Sequence, residues 1–499
     1  MSLKLNYDLT PELELHKRKI IGLANDYGLS FHPIKFLLVT PEELNGIAAY
    51  GGFPTRIPHW THGMAYEDLY KKYKHGAGKI YELVINTNPV YAYLLTTNPV
   101  VDQKLVIAHV CGHADFFYNN CWFSPTDKNM LNQMANNAAR VRRIIQKVGH
   151  LEVEKFIDTC KSLDNLVDPY KPHYPVKNRV DEDEDYDLSK RPIPKLKAKG
   201  YMDKYINTDE YKAQQRKKLE EEIQRNKQFP RSPDRDILGF LVEHATNLER
   251  WQRDILGMIR EEAYYFAPQG MTKIINEGWA SFWHSKLMTE HLAVDSDIVD
   301  YCDRHAGVMA TGKQLNPYKL GIELLKDIED RWDRGAFGPE YEACNSIEER
   351  DKWDKGLGKG REKLFQVRKT HNDLTFIDTF LTPEFCVKQK MYSYEKDKQY
   401  HSFYRVNKDF QKVKTKLLDM LTNSGQPIIR VANGNYDNKG ELLIEHIHEG
   451  TDLDVAKAEN TLKNLFTIWG RPVHIQTIED DSPIFWSYDG ESHDKTLLV

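Results

Sequence analysis

The sequence predicts an α+β fold, a mostly helical main domain followed by a small C-terminal β-β-α-β-β domain. Three observations carry this expectation. From residue 102 to about 334 apolar residues recur with the helical period, interrupted by Pro and Gly. From 426 the period shortens to two, in QPIIRVA (426–432) and ELLIEHIHE (441–449), on either side of the hairpin signal NGNYDNKG. DVAKAENTLKNLFTIWG (454–470) then reads as a helix ended by Gly470, and RPVHIQTIE and PIFWSYD supply two further strands.

In chain order, residues 10–28 read as a helix ended at Gly28, and FHPIKFLLVT (31–40) as a short strand. YGGFPTRIPHW (50–60) holds two Gly, two Pro and three aromatics, which predicts an ordered, irregular loop. A helix is expected over 66–74, and KIYELVINTNPVYAYLLTTNPV (79–100) alternates strand-like stretches with Asn-Pro turns. Between Pro169 and Pro194 the chain is Pro-rich and then acidic, with DEDEDYD at 181–187, a composition that buries no apolar surface and stays solvated. A charged helix is expected over 208–228, two apolar-patterned helices over 236–266 and 272–292 divided by Pro268 and Gly270, and another helix over 317–334. The stretch 335–370 reads as polar and irregular. These signals divide the chain into a main domain at 1–380, with a charged excursion at 170–235, a connecting segment at 381–425, and the C-terminal domain at 426–499.

Composition narrows the function classes. A net charge of -5 gives no reason to expect a polyanion as partner, so nucleic acid is disfavoured. No run approaches the roughly 20 apolar residues of a membrane span, and MSLKLNYDLTPELELHKRK turns charged before any signal-like stretch develops. Cys111, Cys121, Cys160, Cys302, Cys344 and Cys386 form no C-x-x-C pair, which fits a reducing, cytoplasmic location. Phosphate-binding, dinucleotide and nucleophile-elbow motifs are absent, which disfavours ATP hydrolysis and dinucleotide redox chemistry.

The chemistry concentrates in VVDQKLVIAHVCGHADFF (100–117), apolar on nearly every side as a buried helix is, with Asp102 expected as its N-cap. His109 and His113 are four residues apart, so their rings project from one face and can share one metal ion. This is the spacing of the zincin H-E-x-x-H helix, in which the Glu is the general base. Here that position is Val110, which takes no proton. A third ligand is expected from TKIINEGWASFWHSKLM (272–288), where Asn276-Glu277 resembles the pair by which gluzincins supply a carboxylate; Glu277 is the choice. His284, two turns further on the same face, is a candidate fourth ligand or substrate-facing residue, and Glu262 or Glu261 is the candidate for the missing base. Zinc suits such a donor set best, with iron and manganese open. The alternative also stands: an i, i+4 histidine pair can simply brace a core through hydrogen bonds. Asp115 points to another face, where it would orient a neighbouring group. His244 and the Trp251–Asp254 run read as a packed polar network, and His59, Trp60 and His62 either line a cleft with the 50–54 loop or pack with it.

The segments YGLSFHPIKF, NGIAAYGGFPTRIPHW, INTNPVYAYLL, VDQKLVIAHVCGHADFF, ERWQRDIL, REEAYYFAPQG, KIINEGWASFWHSK and LNPYKLG, in this order, resemble the stage V sporulation protein R (SpoVR) family. The resemblance runs from about residue 15 to 335 and more loosely through the C-terminal domain. It implies a cytoplasmic protein linked, in endospore formers, to the spore cortex, a peptidoglycan layer. It also implies company: members are often encoded beside a PrkA-type serine kinase and a von Willebrand-A-like protein. Two functions follow as expectations. One is metal-assisted hydrolysis of an amide-type bond in a peptide or peptidoglycan-related substrate, with zinc on His109, His113 and Glu277. The other is a non-catalytic regulatory or scaffold protein with structural histidines.

Overall fold

The computed structural model describes residues 7–75, 82–174, 196–197, 202–227, 229–294, 297–310, 315–396, 404–407 and 409–498, so the acidic run at 181–187 lies outside the described residues. Thr10 caps α1 (Pro11–Asp26), and after β1 (Ile34–Val39) Thr40 and Glu43 close a capping box on α2 (Pro41–Ala49). Then come α3 (Trp60–Lys74), β2 (Glu82–Ile85), β3 (Val90–Leu95) and α4 (Val100–Asn119), followed by α5 (Met130–Val148) and α6 (His150–Lys161). The middle of the chain forms α7 (Asp203–Ile206), α8 (Asp209–Lys227), α9 (Ile237–His244), α10 (Arg250–Met271), α11 (Lys273–Leu287), α12 (Asp297–Val308) and α13 (Pro317–Arg334). Short helices α14 (Pro339–Glu342) and α15 (Ile347–Asp351) lead to α16 (Gly360–Thr370), α17 (Asp373–Phe380) and α18 (Pro383–Lys388). The hairpin β4 (Ser393–Lys396) and β5 (Tyr404–Asn407) precedes α19 (Phe410–Leu421). The chain closes with β6 (Ile428–Tyr436), β7 (Glu441–Ile447), α20 (Val455–Trp469), β8 (Val473–Glu479), β9 (Ser482–Tyr488) and β10 (His493–Leu497).

The chain divides into two compact units that interleave in sequence: Met1–His150 with Tyr264–Gly425, and Leu151–Ala263 with Gln426–Val499. In the first unit a three-stranded sheet of order β1-β3-β2 lies beside a helical core. α4 runs through that core, with Val106, Ile107, Ala108, Val110 and Cys111 at most 1% exposed. Glycines set the close contacts of α4, α11 and α13. A Cβ at Gly112 would stand 2.6 Å from the Ala280 Cα of α11, and one at Gly278 would stand 2.5 Å from the Gly321 Cα of α13. Only the missing side chains let these three helices approach so closely.

In the second unit five strands run in the order β10-β9-β8-β7-β6, antiparallel except for β7 beside β8, the pair that α20 connects. The expected β-β-α-β-β sequence of elements is present and gains a fifth strand, β10. Residues before and within α9 join this unit too: Asp234 bridges to Val431 of β6, and Phe240 stacks on Trp469.

Three local expectations are corrected. The helix expected over 236–266 is broken between His244 and Arg250, because Arg253 reaches back to the carbonyls of Val242 and Ala245 and terminates α9. Conversely, α10 continues through Pro268 and Gly270; the interruption falls at Thr272, whose hydroxyl donates to the Pro268 carbonyl (2.6 Å). Residues 360–370, expected irregular, form α16, whose narrow apolar stripe of Leu364 and Val367 is wholly buried.

Candidate metal centre

Each donor arrives by a local rule. On α4 the four-residue spacing sets the His109 and His113 rings 4.6 Å apart at an interplanar angle of 81°. On α11 the first free N–H groups, those of Ile274 and Ile275, donate to the Asp373 carboxylate at 2.8 and 2.9 Å, so the helix start carrying Asn276 and Glu277 is fixed. β2 supplies a residue that sequence reasoning missed. Strand side chains alternate, so Glu82 shares a face with Val84, which packs against the core containing α4, while Leu83 and Ile85 face the other cluster. In the sequence only the alternation of Glu82 with Val84 is visible, and it does not say which face is buried.

The four groups converge. His109 Nε2 lies 3.2 Å from Glu82 Oε1 and 3.6 Å from Glu277 Oε2; His113 Nε2 lies 4.0 and 3.4 Å from the same two oxygens. Donors held 2.0 to 2.2 Å from a zinc ion in a tetrahedron stand about 3.3 to 3.6 Å apart, so the cage has the size of such an ion. Among the described residues, Glu82, His109 and His113 form a group whose ligand atoms all lie within 4.8 Å of one another. His109 Nε2, Glu82 Oε2 and Glu277 Oε2 are buried and have no hydrogen-bond partner, a cost that a bound cation would remove.

The far sides of the rings are held. His113 Nδ1 donates to Asn276 Oδ1 (2.9 Å), which turns Nε2 toward the cage. His109 Nδ1 meets His284 Nδ1 at 2.7 Å, and His284 Nε2 lies 3.4 Å from His305 Nδ1 of α12. His284 thus contacts the back of a candidate ligand. Burial and the neighbouring His109 hold its imidazole far below the usual range, so it is neutral and its Nδ1 can accept a hydrogen bond from His109 Nδ1. Around the cage, burial raises Glu82 above the ordinary carboxylate range despite the pull of His109 and His113. Burial also opposes ionisation of Glu277, but His113 and His109 outweigh it and hold that carboxyl well below the usual range. For His113 burial acts downward, and Glu277 and then Glu82 reverse it, to about 9. Tyr318 stacks on His109 with centroids 6.3 Å apart, and its phenol is raised by burial and by Glu277.

The cage opens on a cavity of about 680 Å³ whose lining includes Glu82, His109, Glu277, His284 and Tyr318. Of the candidate bases, Glu261 is exposed and Glu262 is buried, both on the part of α10 that belongs to the other unit. Asp115 leaves the cage side: it pairs with Arg368 (2.5 Å) and accepts from Trp279 Nε1 (2.8 Å) and Ser30 N (2.8 Å). His244 packs between Phe229 and Phe240. The 50–54 loop packs inward through Phe53, against Tyr265 and Phe266, and His62 reaches the Ala49 carbonyl at 3.0 Å.

Among the described residues no helix is long and apolar enough to cross a membrane. No solved structure matches the chain. A curated relative, the uncharacterized protein YcgB of Escherichia coli (strain K12), is 28% identical over 498 residues, covering 95% of this chain and 93% of that protein. The family described as SpoVR like protein matches residues 8–426, and the SpoVR-like C-terminal domain matches residues 427–480. The meeting of the two matches falls within a residue of the step from the first structural unit to the C-terminal sheet, and along both of them the chain belongs to the SpoVR family.

Proposed function

We propose that this protein is a metal-dependent hydrolase of amide-type bonds, with a divalent cation, zinc by donor type, held by His109, His113 and Glu277. The observation that carries the proposal is the cage: two imidazole nitrogens and two carboxylates at ion-sized separations, three of their buried atoms lacking partners. A divalent cation there polarises a carbonyl and lowers the pKa of water. The chain's own residues do the rest. Glu277, ionised, balances the charge. Glu82, raised by burial toward neutrality, replaces the glutamate that Val110 denies to α4 and holds the proton that water gives up. Asn276 and His284 orient the two rings from behind. In the SpoVR family such an activity fits a cytoplasmic role in forming or remodelling peptidoglycan-related peptide material, as in the spore cortex.

One observation favours a second reading. Both rings also have Nδ1 partners, which structural histidines in a scaffold for a PrkA-type kinase would need as well. Elemental analysis of protein purified without a histidine tag separates the two. We expect about one metal ion per chain in the wild type and loss of that ion in Glu277→Ala and His113→Ala; a folded wild type that takes up no zinc on reconstitution sinks the proposal.

A further inference from the structure

We propose, resting on the metal reading above, that the substrate carries a free carboxylate next to the scissile amide, and that Lys273 is the residue that selects it. The cavity beside the cage is lined by three carboxylates, Glu82, Asp102 and Glu277, and by two cations, Lys273 and Arg304. Their charges pair off unequally. Glu82 and Glu277 face the two histidines and are both taken up by the metal centre, one as base and the other as ligand. Arg304 Nε lies 3.3 Å from Asp102 Oδ1, so that pair also closes on itself. Lys273 is then the cation that no carboxylate of the lining matches. Its charge also acts on Asp373, outside the lining, but that carboxyl is buried and already accepts from the N–H groups of Ile274 and Ile275.

Its position suits the role. Lys273 begins α11 four residues before Glu277, and side chains so spaced share a helix face with their Cβ atoms about 5 to 6 Å apart. The Lys273 side chain is exposed at the rim, one turn from the cage, within reach of a carboxylate on the residue that leaves when the amide is cut. Leu105, Val106, Val308 and Pro317 give the same cavity an apolar wall that suits a hydrocarbon side chain on that residue. The ligand class is therefore an acylated amino acid or the end of a peptide. In the reaction the water oxygen bonds to the carbonyl carbon and the C–N bond breaks. Glu82 passes the proton taken from water to the departing amine, so the step needs no oxidant or reductant.

Two probes separate this inference from the metal reading. 3-Phenylpropanoate offers one carboxylate for the metal and an apolar ring; 2-benzylsuccinate adds a second carboxylate. With zinc-loaded full-length protein, isothermal titration calorimetry is expected to show 2-benzylsuccinate binding at least about tenfold more tightly. That advantage should vanish in K273Q and persist in K273R, with circular dichroism confirming that both variants fold. Equal binding of the two probes, binding of neither by zinc-loaded protein, or an advantage that survives in K273Q overturns the inference and leaves the metal centre standing. Failure of the protein to hold zinc at all overturns both.

Discussion

Asn276 lies outside the cage, yet its side-chain oxygen decides which nitrogen of His113 faces inward. Removing it leaves the imidazole free to turn or change tautomer, and outer partners of this kind typically contribute 10- to 100-fold to metal affinity. We therefore expect Asn276→Ala to weaken zinc binding by about that factor while leaving stoichiometry at one, measured by competition with a chromophoric chelator. Residue by residue, the site was legible where one helix carries the pattern. His109 and His113 declare themselves by spacing, and Asn276-Glu277 by kinship with a known pair. Glu82 did not, because it arrives on a four-residue edge strand whose spatial neighbours are fixed only by tertiary packing. His284 was visible as a residue on the right face of α11, but its contact with the back of His109 depends on how close α4 and α11 come.

At the level of elements, α11 matters most, and its start depends on Asp373, a buried carboxyl brought from α17. Burial raises Asp373 to about 7, against the hydrogen bonds from Ile274 and Ile275. The folded-state value lies above the usual unfolded value of about 3.9, so the native chain holds more protons than the unfolded one between these limits. Stability then falls as pH rises from about 4 to about 7. In metal-free protein, Asp373→Asn should flatten the part of the urea-unfolding free energy that declines over that window; an unchanged slope would contradict the assignment. Element boundaries show the limit of periodicity. α13 spans the expected Pro317–Arg334, with Asn316 capping its start and Gly335, in the left-handed region, closing its end. The gap between α9 and α10 was missed because Arg253, a side chain beyond the gap, makes it.

Across the whole molecule, every donor of the cage and every residue of its cavity lies in the first unit, whereas the C-terminal sheet belongs to the second. Zinc should therefore protect one unit selectively. Hydrogen-exchange mass spectrometry with and without saturating zinc is expected to show slower exchange in β2, α4 and α11 and no change in β6 to β10; a uniform effect would count against a site confined to the first unit. A ligand at 100 times its dissociation constant stabilises the state it binds by about 2.7 kcal/mol, enough to resolve in such data. The change of period at 426 was plain in the sequence, but the partnership of 151–263 with that sheet was not. It rests on contacts such as Asp234 with Val431 and Phe240 with Trp469, which join segments far apart in the chain.

The bare backbone at Gly112 has a role beyond letting helices touch. It acts as a calliper: with no methyl to hold α4 off Ala280, the histidines of one helix and the carboxylate of the next close to a span that suits a small ion. A single added carbon at that point would prop the jaws open and favour cations of larger radius, retuning the centre without replacing any donor residue.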